Sequence, residues 1–143
     1  MKADHKLKKI YPLLIKTIEN YVAKKKSEEY RIETESSEDA LSWGIQKDEE
    51  VQYVCLYEHN GEGFLMINSD ICNFTGQELD QIIWENLKLA LPFRSTIDEN
   101  KQVVTLYWTK IDKLNIDYIS WVLENHLSYS NLLRQYLIGK YSI

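Results

Sequence analysis

The strongest local constraint in the chain is Asn60-Gly61. It stands between Val51–Glu58 and Gly63–Asn68, two runs dense in β-branched, aromatic and aliphatic residues. An Asn-Gly pair in that setting specifies a two-residue type I′ hairpin, because both central residues must take φ > 0 and Gly does so without a Cβ penalty. The turn sets the register. On one face Tyr57 stands opposite Phe64, Cys55 opposite Met66 and Tyr53 opposite Asn68. On the other, Leu56 stands opposite Leu65 and Val54 opposite Ile67. Both faces are therefore apolar, whereas an antiparallel sheet covered on one side alternates apolar with polar. The Val54, Leu56, Leu65 and Ile67 face is assigned to the core. The Tyr53, Cys55, Tyr57, Phe64 and Met66 face is amphipathic. It either meets a partner or lies beneath helices of its own chain or of a twin subunit.

The flanking segments supply the other elements. Leu7, Ile10, Tyr11, Leu14, Ile15, Ile18 and Val22 recur at steps of three and four, the mark of an amphipathic helix. Pro12 requires that this helix begin near Tyr11 or bend there, and Lys24-Lys25-Lys26 suits its C-terminus. Tyr30–Thr34 predicts a short edge strand, Ser36–Asp39 a turn, and Leu41–Ile45 a further strand. Thr75-Gly76-Gln77-Glu78 fits a capping box opening a helix whose buried stripe is Leu79, Ile82, Ile83, Leu87 and Leu91, with Pro92 as its stop. Phe93–Ile97 and Gln102–Trp108, on either side of Asp98–Lys101, predict a second hairpin. A long helix over 115–138 closes the chain, with Asp112 or Asn115 as cap and Gly139 as its C-terminal stop. Tyr118, Trp121, Val122, Tyr129, Leu132, Leu133, Tyr136 and Leu137 give it an aromatic-rich face. Aromatics at this spacing are expected as core, although Trp and Tyr also concentrate at protein interfaces. Strands and helices are segregated along the chain, so the fold class is α+β: one domain over residues 1–143, in the order α-β(3-4)-α-β2-α, with an antiparallel sheet packed by helices.

Composition narrows the function. A chain of 143 residues with 44% hydrophobic and 27% charged residues is globular and of single-domain length. Its net charge of −5 argues against non-specific nucleic-acid binding, which needs a basic surface. That charge is divided. Residues 1–26 carry eight Lys against Asp4 and Glu19, a net of +6, and residues 27–62 carry a net of −9. The wholly apolar stretch Tyr53–Tyr57 falls far short of the roughly 18 residues of a membrane span, and Met1–Lys6 is charged where a signal peptide would be apolar. A soluble, cytoplasmic protein is expected. Two cysteines, Cys55 and Cys72, are too few for a disulfide framework, are not cross-strand partners and have no metal-ligand spacing.

No motif carries a reaction. His5, His59 and His126 form no metal pair. His126, beside Glu124 and Asn125, marks the most polar point of the last helix and is expected on a solvated face. Cys55 is expected as a small buried hydrophobe; Cys55 and His126 are the named candidates should the chain be an enzyme. Asn60-Gly61-Glu62-Gly63 leads into a strand, not a helix, and is no phosphate cradle. Neither metal nor cofactor is expected.

The element order, with Glu78-Leu79, Ile82-Ile83, Asn86-Leu87, Phe93, the 98–106 hairpin and the amphipathic last helix, resembles the second half of a YbjN-like domain. The whole order resembles the YbjN-like and type III secretion chaperone-like fold. An extra strand over 29–34 and Pro12 in the first helix depart from that pattern. The resemblance implies a small acidic homodimer without enzymatic activity. Its chaperone branch implies a protein that holds an extended segment of an effector.

The expectation is therefore a non-enzymatic protein-binding module, chaperone-like or adaptor, acting as a homodimer on a protein client. The expected contact residues are Tyr53, Tyr57, Phe64, Met66, Trp121 and Tyr129. Nucleic acid and membrane are not expected partners. The alternative is a regulatory or toxin-neutralising protein whose acidic stretch, residues 27–62, meets a basic target.

Overall fold

A computed structural model describes residues 6–73, 92–97, 99–100 and 102–141. Two helices, α1 (Lys6–Ile10) and α2 (Pro12–Ser27), lead into four strands, β1 (Arg31–Ser37), β2 (Ala40–Lys47), β3 (Glu50–His59) and β4 (Glu62–Asn73). After residues 74–91 come β5 (Arg94–Ile97), β6 (Gln102–Lys110), a 3-10 turn at Ile111–Lys113 and the closing helix α3 (Ile116–Tyr141). The six strands form one antiparallel sheet in the order β1-β2-β3-β4-β6-β5, so the fold is α+β. The expected capped helix from Thr75 falls outside the described residues.

Asn60 and Gly61 take φ of 52° and 78°, as a type I′ turn demands. The register that follows is the expected one, with Tyr57 paired to Phe64, Cys55 to Met66, Leu56 to Leu65 and Val54 to Ile67. Asp48 supplies the positive φ, 55°, for the turn joining β2 to β3. The edge strand β1 is longer than expected: Ser36 and Ser37 belong to it, and only Glu38-Asp39 turns. Strand β4 bulges between Asp70 and Cys72 where it pairs with β6. Arg134 of α3 reaches the bulge, donating from Nη2 to the Asp70 carbonyl (2.8 Å) and from Nε to the Ile71 carbonyl (3.1 Å).

Pro12 divides the first helical segment. Tyr11 leaves helical geometry (φ −125°, ψ 54°) and Pro12 opens α2, where its missing N–H costs nothing. The end of α2 carries Lys24, Lys25 and Lys26, and Glu29 turns the chain with φ 71°. Asn115, rather than Asp112, caps α3: its Oδ1 accepts the Asp117 N–H at 3.0 Å. Gly139 does not stop this helix, which continues to Tyr141. A glycine ends a helix by taking the left-handed conformation, and Gly139 keeps a negative φ.

Helices α2 and α3 pack together on one face of the sheet. Leu14, Ile15, Ile18 and Val22 of α2 and Ile119, Val122 and Leu123 of α3 close over Leu41, Trp43, Ile45, Val54, Leu56, Leu65 and Ile67. A fully buried Leu or Ile in such a cluster contributes about 1.5–3 kcal/mol. Gly63 admits close approach from this side. A Cβ there would meet the Tyr11 hydroxyl and stand 2.8 Å from Ile111 Cδ1.

The buried stripe of α3 is offset from the expected one. Ile119, Val122, Leu123, His126, Ser130, Leu133 and Leu137 face inward, while Tyr118, Trp121, Leu132 and Tyr136 are exposed. His126, expected on a solvated face, is 0% exposed. It occupies an inward position because the helical step from Val122 and Leu123 to Ser130 passes through it.

Candidate partner-binding face

The side of the sheet away from α2 and α3 carries the amphipathic face marked by the hairpin. β3 contributes Tyr53, Cys55 and Tyr57, β4 contributes Phe64, Met66 and Asn68, and β6 contributes Leu106 and Trp108, paired with Asn68 and Met66. Tyr57, Phe64 and Trp108 form a ladder across three strands. Ring centroids lie 5.4 and 5.1 Å apart with interplanar angles of 23° and 17°. Trp108 Nε1 donates to the Tyr57 hydroxyl at 2.7 Å, spanning the ladder. Held between two rings, Phe64 is only 8% exposed although it lies on the outer face. Tyr53 and Trp108 are 43% and 50% exposed, and Met66 and Tyr57 are half-buried. A rigid aromatic surface with a few polar tips is the composition of a protein contact site. Lys110, paired to Glu62 at 2.9 Å, borders it.

Of the six residues expected to meet a partner, Tyr53, Tyr57, Phe64 and Met66 come together here. Trp121 and Tyr129 do not, because α3 lies on the opposite side of the sheet. Trp121, 47% exposed, stacks between Tyr118 (5.4 Å) and Phe93 (6.2 Å), and Tyr129 stacks on Phe93 (5.6 Å). Trp108 was missed by sequence reasoning. The pairing of β6 to β4 crosses a long connection, and no turn residue fixes that register from sequence.

Behind the sheet lies a second feature that the sequence did not reveal. Tyr21 donates to Gln52 Oε1 (2.6 Å), and Gln52 Nε2 donates to the Leu123 carbonyl (3.0 Å) and to His126 Nδ1 (3.0 Å). His126 Nε2 then faces the Thr105 hydroxyl (3.2 Å), which bonds Ser130 at 2.7 Å. The amide orientation assigns the proton to Nε2, so the ring is neutral and both nitrogens are satisfied. Burial pushes the His126 pKa down to about 4. Gln52, Thr105, His126 and Ser130 are all buried, so the chain of hydrogen bonds is closed to solvent and ties α3 to β3 and β6.

The two residues named for nucleophilic chemistry do not meet. Cys55 is half-buried on the outer face rather than buried, and His126 is behind the sheet. Burial raises the thiol pKa of both Cys55 and Cys72, against the pull of Arg134 at Cys72, which disfavours the reactive thiolate. Among the described residues no group of three His, Cys, Asp or Glu side chains could hold a metal. Nor is any described helix long and apolar enough to cross a membrane.

The basic first segment meets the acidic strands at Lys6, which bridges Asp39 (2.6 Å) and Glu58 (3.0 Å). Lys25 is buried between the rings of Tyr21 and Tyr30 and bonded to Glu28 and Glu124. The acidic side chains of β1, Glu33 and Glu35, remain exposed. No protein-family model matches the chain, and no curated protein matches it.

Proposed function

We propose that this chain is a non-enzymatic protein-binding module, a chaperone-like or adaptor protein that holds a partner polypeptide and works as a cytoplasmic homodimer. The observation that carries the proposal is the outer sheet face, where Tyr53 and Trp108 stay exposed beside a stacked aromatic ladder. Large aromatics on a stiff sheet bind with little loss of side-chain entropy, and such residues dominate contact energies. The test is capture of partners from host extract by the wild type and by a Tyr53→Ser, Trp108→Ser double variant of unchanged melting temperature. A polypeptide held by the wild type and lost from the variant supports the proposal. Identical captured sets refute it. Light scattering at micromolar concentrations tests the dimer, and a monomer throughout rejects that part.

A regulatory or toxin-neutralising role is a second reading, favoured by the exposed carboxylates of β1 and its turn, Glu33, Glu35, Glu38 and Asp39. A partner affinity insensitive to ionic strength would reject it.

A further inference from the structure

We infer that the free edge of β1 is a strand-addition site for an extended basic segment of a partner protein. This deepens the proposed holding function by naming a second contact and its chemistry.

The hydrogen-bonding parity of the edge follows from the turns. The Glu58 N–H donates to the Asp39 carbonyl at 2.9 Å, so Asp39 points its backbone toward β3. Alternation along an antiparallel ladder then directs Leu41, Trp43, Ile45 and Lys47 toward β3, and Ala40, Ser42, Gly44 and Gln46 toward β1. Their partners Ser37, Glu35, Glu33 and Arg31 use their own N–H and C=O groups on β2. Ile32, Thr34 and Ser36 therefore present their N–H and C=O groups outward, along an edge that ends the sheet order. Among the described residues no strand pairs with these three backbone positions, which form a template for another strand.

Side-chain chemistry selects the occupant. Side chains of an added strand alternate in step with β1. Those beside Thr34 and Ser36 would face a cleft of about 430 Å³ whose lining includes Lys8, Glu19, Leu41 and Trp43, with Ser42 and Glu35 also on it. Those beside Glu33 and Glu35 would meet two exposed carboxylates that make no ion pair among the described residues. A second copy is disfavoured there. Antiparallel pairing of β1 with itself about Thr34 sets Glu33 opposite Glu35 twice, and like charges directly opposite repel. A segment alternating Lys or Arg with small apolar residues satisfies both rows.

The test uses a fluorescent peptide of about seven residues alternating Lys and Val, the length of an ordinary strand, with binding read by anisotropy. Saturable binding should weaken about tenfold or more in a Glu33→Lys, Glu35→Lys variant. It should also be lost with Thr34→Pro, which removes an outward N–H and no bond to β2. A peptide N-methylated on alternate residues, keeping its charge, should not bind. Equal binding to all these proteins, or no binding at millimolar peptide, overturns the inference. So does a dimer that Thr34→Pro dissociates, since a second copy would then hold the edge. Loss of peptide binding on Tyr53→Ser and Trp108→Ser, with the β1 variants unaffected, also overturns it while leaving the holding function standing. Loss on the β1 variants alone, with no partner captured through the outer face, supports the edge and refutes the aromatic-face proposal.

Discussion

Between pH 7 and pH 5, acid should destabilise this protein chiefly through His126. The ring is buried, and its neutral form fits both neighbours: Nδ1 accepts from Gln52 Nε2 and Nε2 donates to Thr105. A second ring proton would point Nδ1–H at the Gln52 amide N–H group. The other groups packed around it, the Tyr21 hydroxyl through Gln52, Ser130 through Thr105 and the Phe93 ring at 5.5 Å, carry no charge that could compensate. The folded pKa of about 4 lies below the unfolded value of 6.5, so the unfolded chain binds the proton more readily. The stability contributed by the neutral ring is complete above pH 6.5 and disappears as pH falls through 6.5 toward 4. The two values give about 3 kcal/mol in full and about 2 kcal/mol at pH 5. With a urea slope of about 2 kcal/mol/M, the unfolding midpoint should fall by about 1 M between pH 7 and pH 5. In His126→Leu, Gln52 keeps the Leu123 carbonyl and Thr105 keeps Ser130, so the variant should lose about 1–3 kcal/mol at pH 7. It should then change little on acidification, and the two stability curves should converge. Glu124, whose pKa falls because bonds from Lys24 and Lys25 outweigh its desolvation, contributes its own acid loss only below the ordinary Glu range. Parallel curves for wild type and variant between pH 7 and pH 5 would refute the assignment.

Three further outcomes rest on separate contacts. Gly63→Ala drives a methyl group into Tyr11 and Ile111 and should cost about 1–3 kcal/mol by chemical denaturation. Gly139→Ala should stabilise by about 0.5–1 kcal/mol, measured as a rise in melting temperature, since it lies within α3 with open space around a new Cβ. Arg134→Lys should destabilise by about 2 kcal/mol and speed amide exchange around the β4 bulge, because one ammonium cannot reproduce the fork across the Asp70 and Ile71 carbonyls.

Local rules were legible in the sequence, and long-range ones were not. Asn60-Gly61 determines the β3–β4 register because a two-residue turn leaves the strands no slack, and every pair from Tyr53 to Phe64 follows from it. The outer face was readable for the same reason. Trp108 was not, because β6 reaches β4 only after a long excursion. The edge position of β1 was legible from its weak alternation. The stripe of α3 was misplaced by weighting aromatic residues as core. Tyr118, Trp121 and Tyr136 are large and apolar but take exposed positions, while His126 and Ser130 take buried ones. A signal was present: Gln52, His126 and Ser130 each stand in step with an apolar row, where a polar residue must find a buried partner. The partner's identity could not be read, since Gln52 and His126 are 74 residues apart.

The buried network and the outer face are linked through β3, β4 and β6. Hydrophobic burial alone would let α3 slide or rotate over a surface of Val, Leu and Ile with modest cost, because dispersion contacts are non-directional. The hydrogen bonds that Gln52 donates to Leu123 and His126, that His126 donates to Thr105, and that join Thr105 to Ser130 favour one axial position and one rotation of the helix. Gln52 and Thr105 belong to the strands whose opposite faces carry Tyr53 and Trp108, with Phe64 between them on β4. Locking α3 from behind therefore stiffens the three strands that carry the aromatic ladder. A ladder held stiff in the free protein loses less entropy when a partner arrives. If the outer face holds a partner as proposed, a variant that loosens the network, such as His126→Leu, should weaken capture of that partner from host extract even though no atom of His126 reaches the face; capture equal to wild type would refute the link.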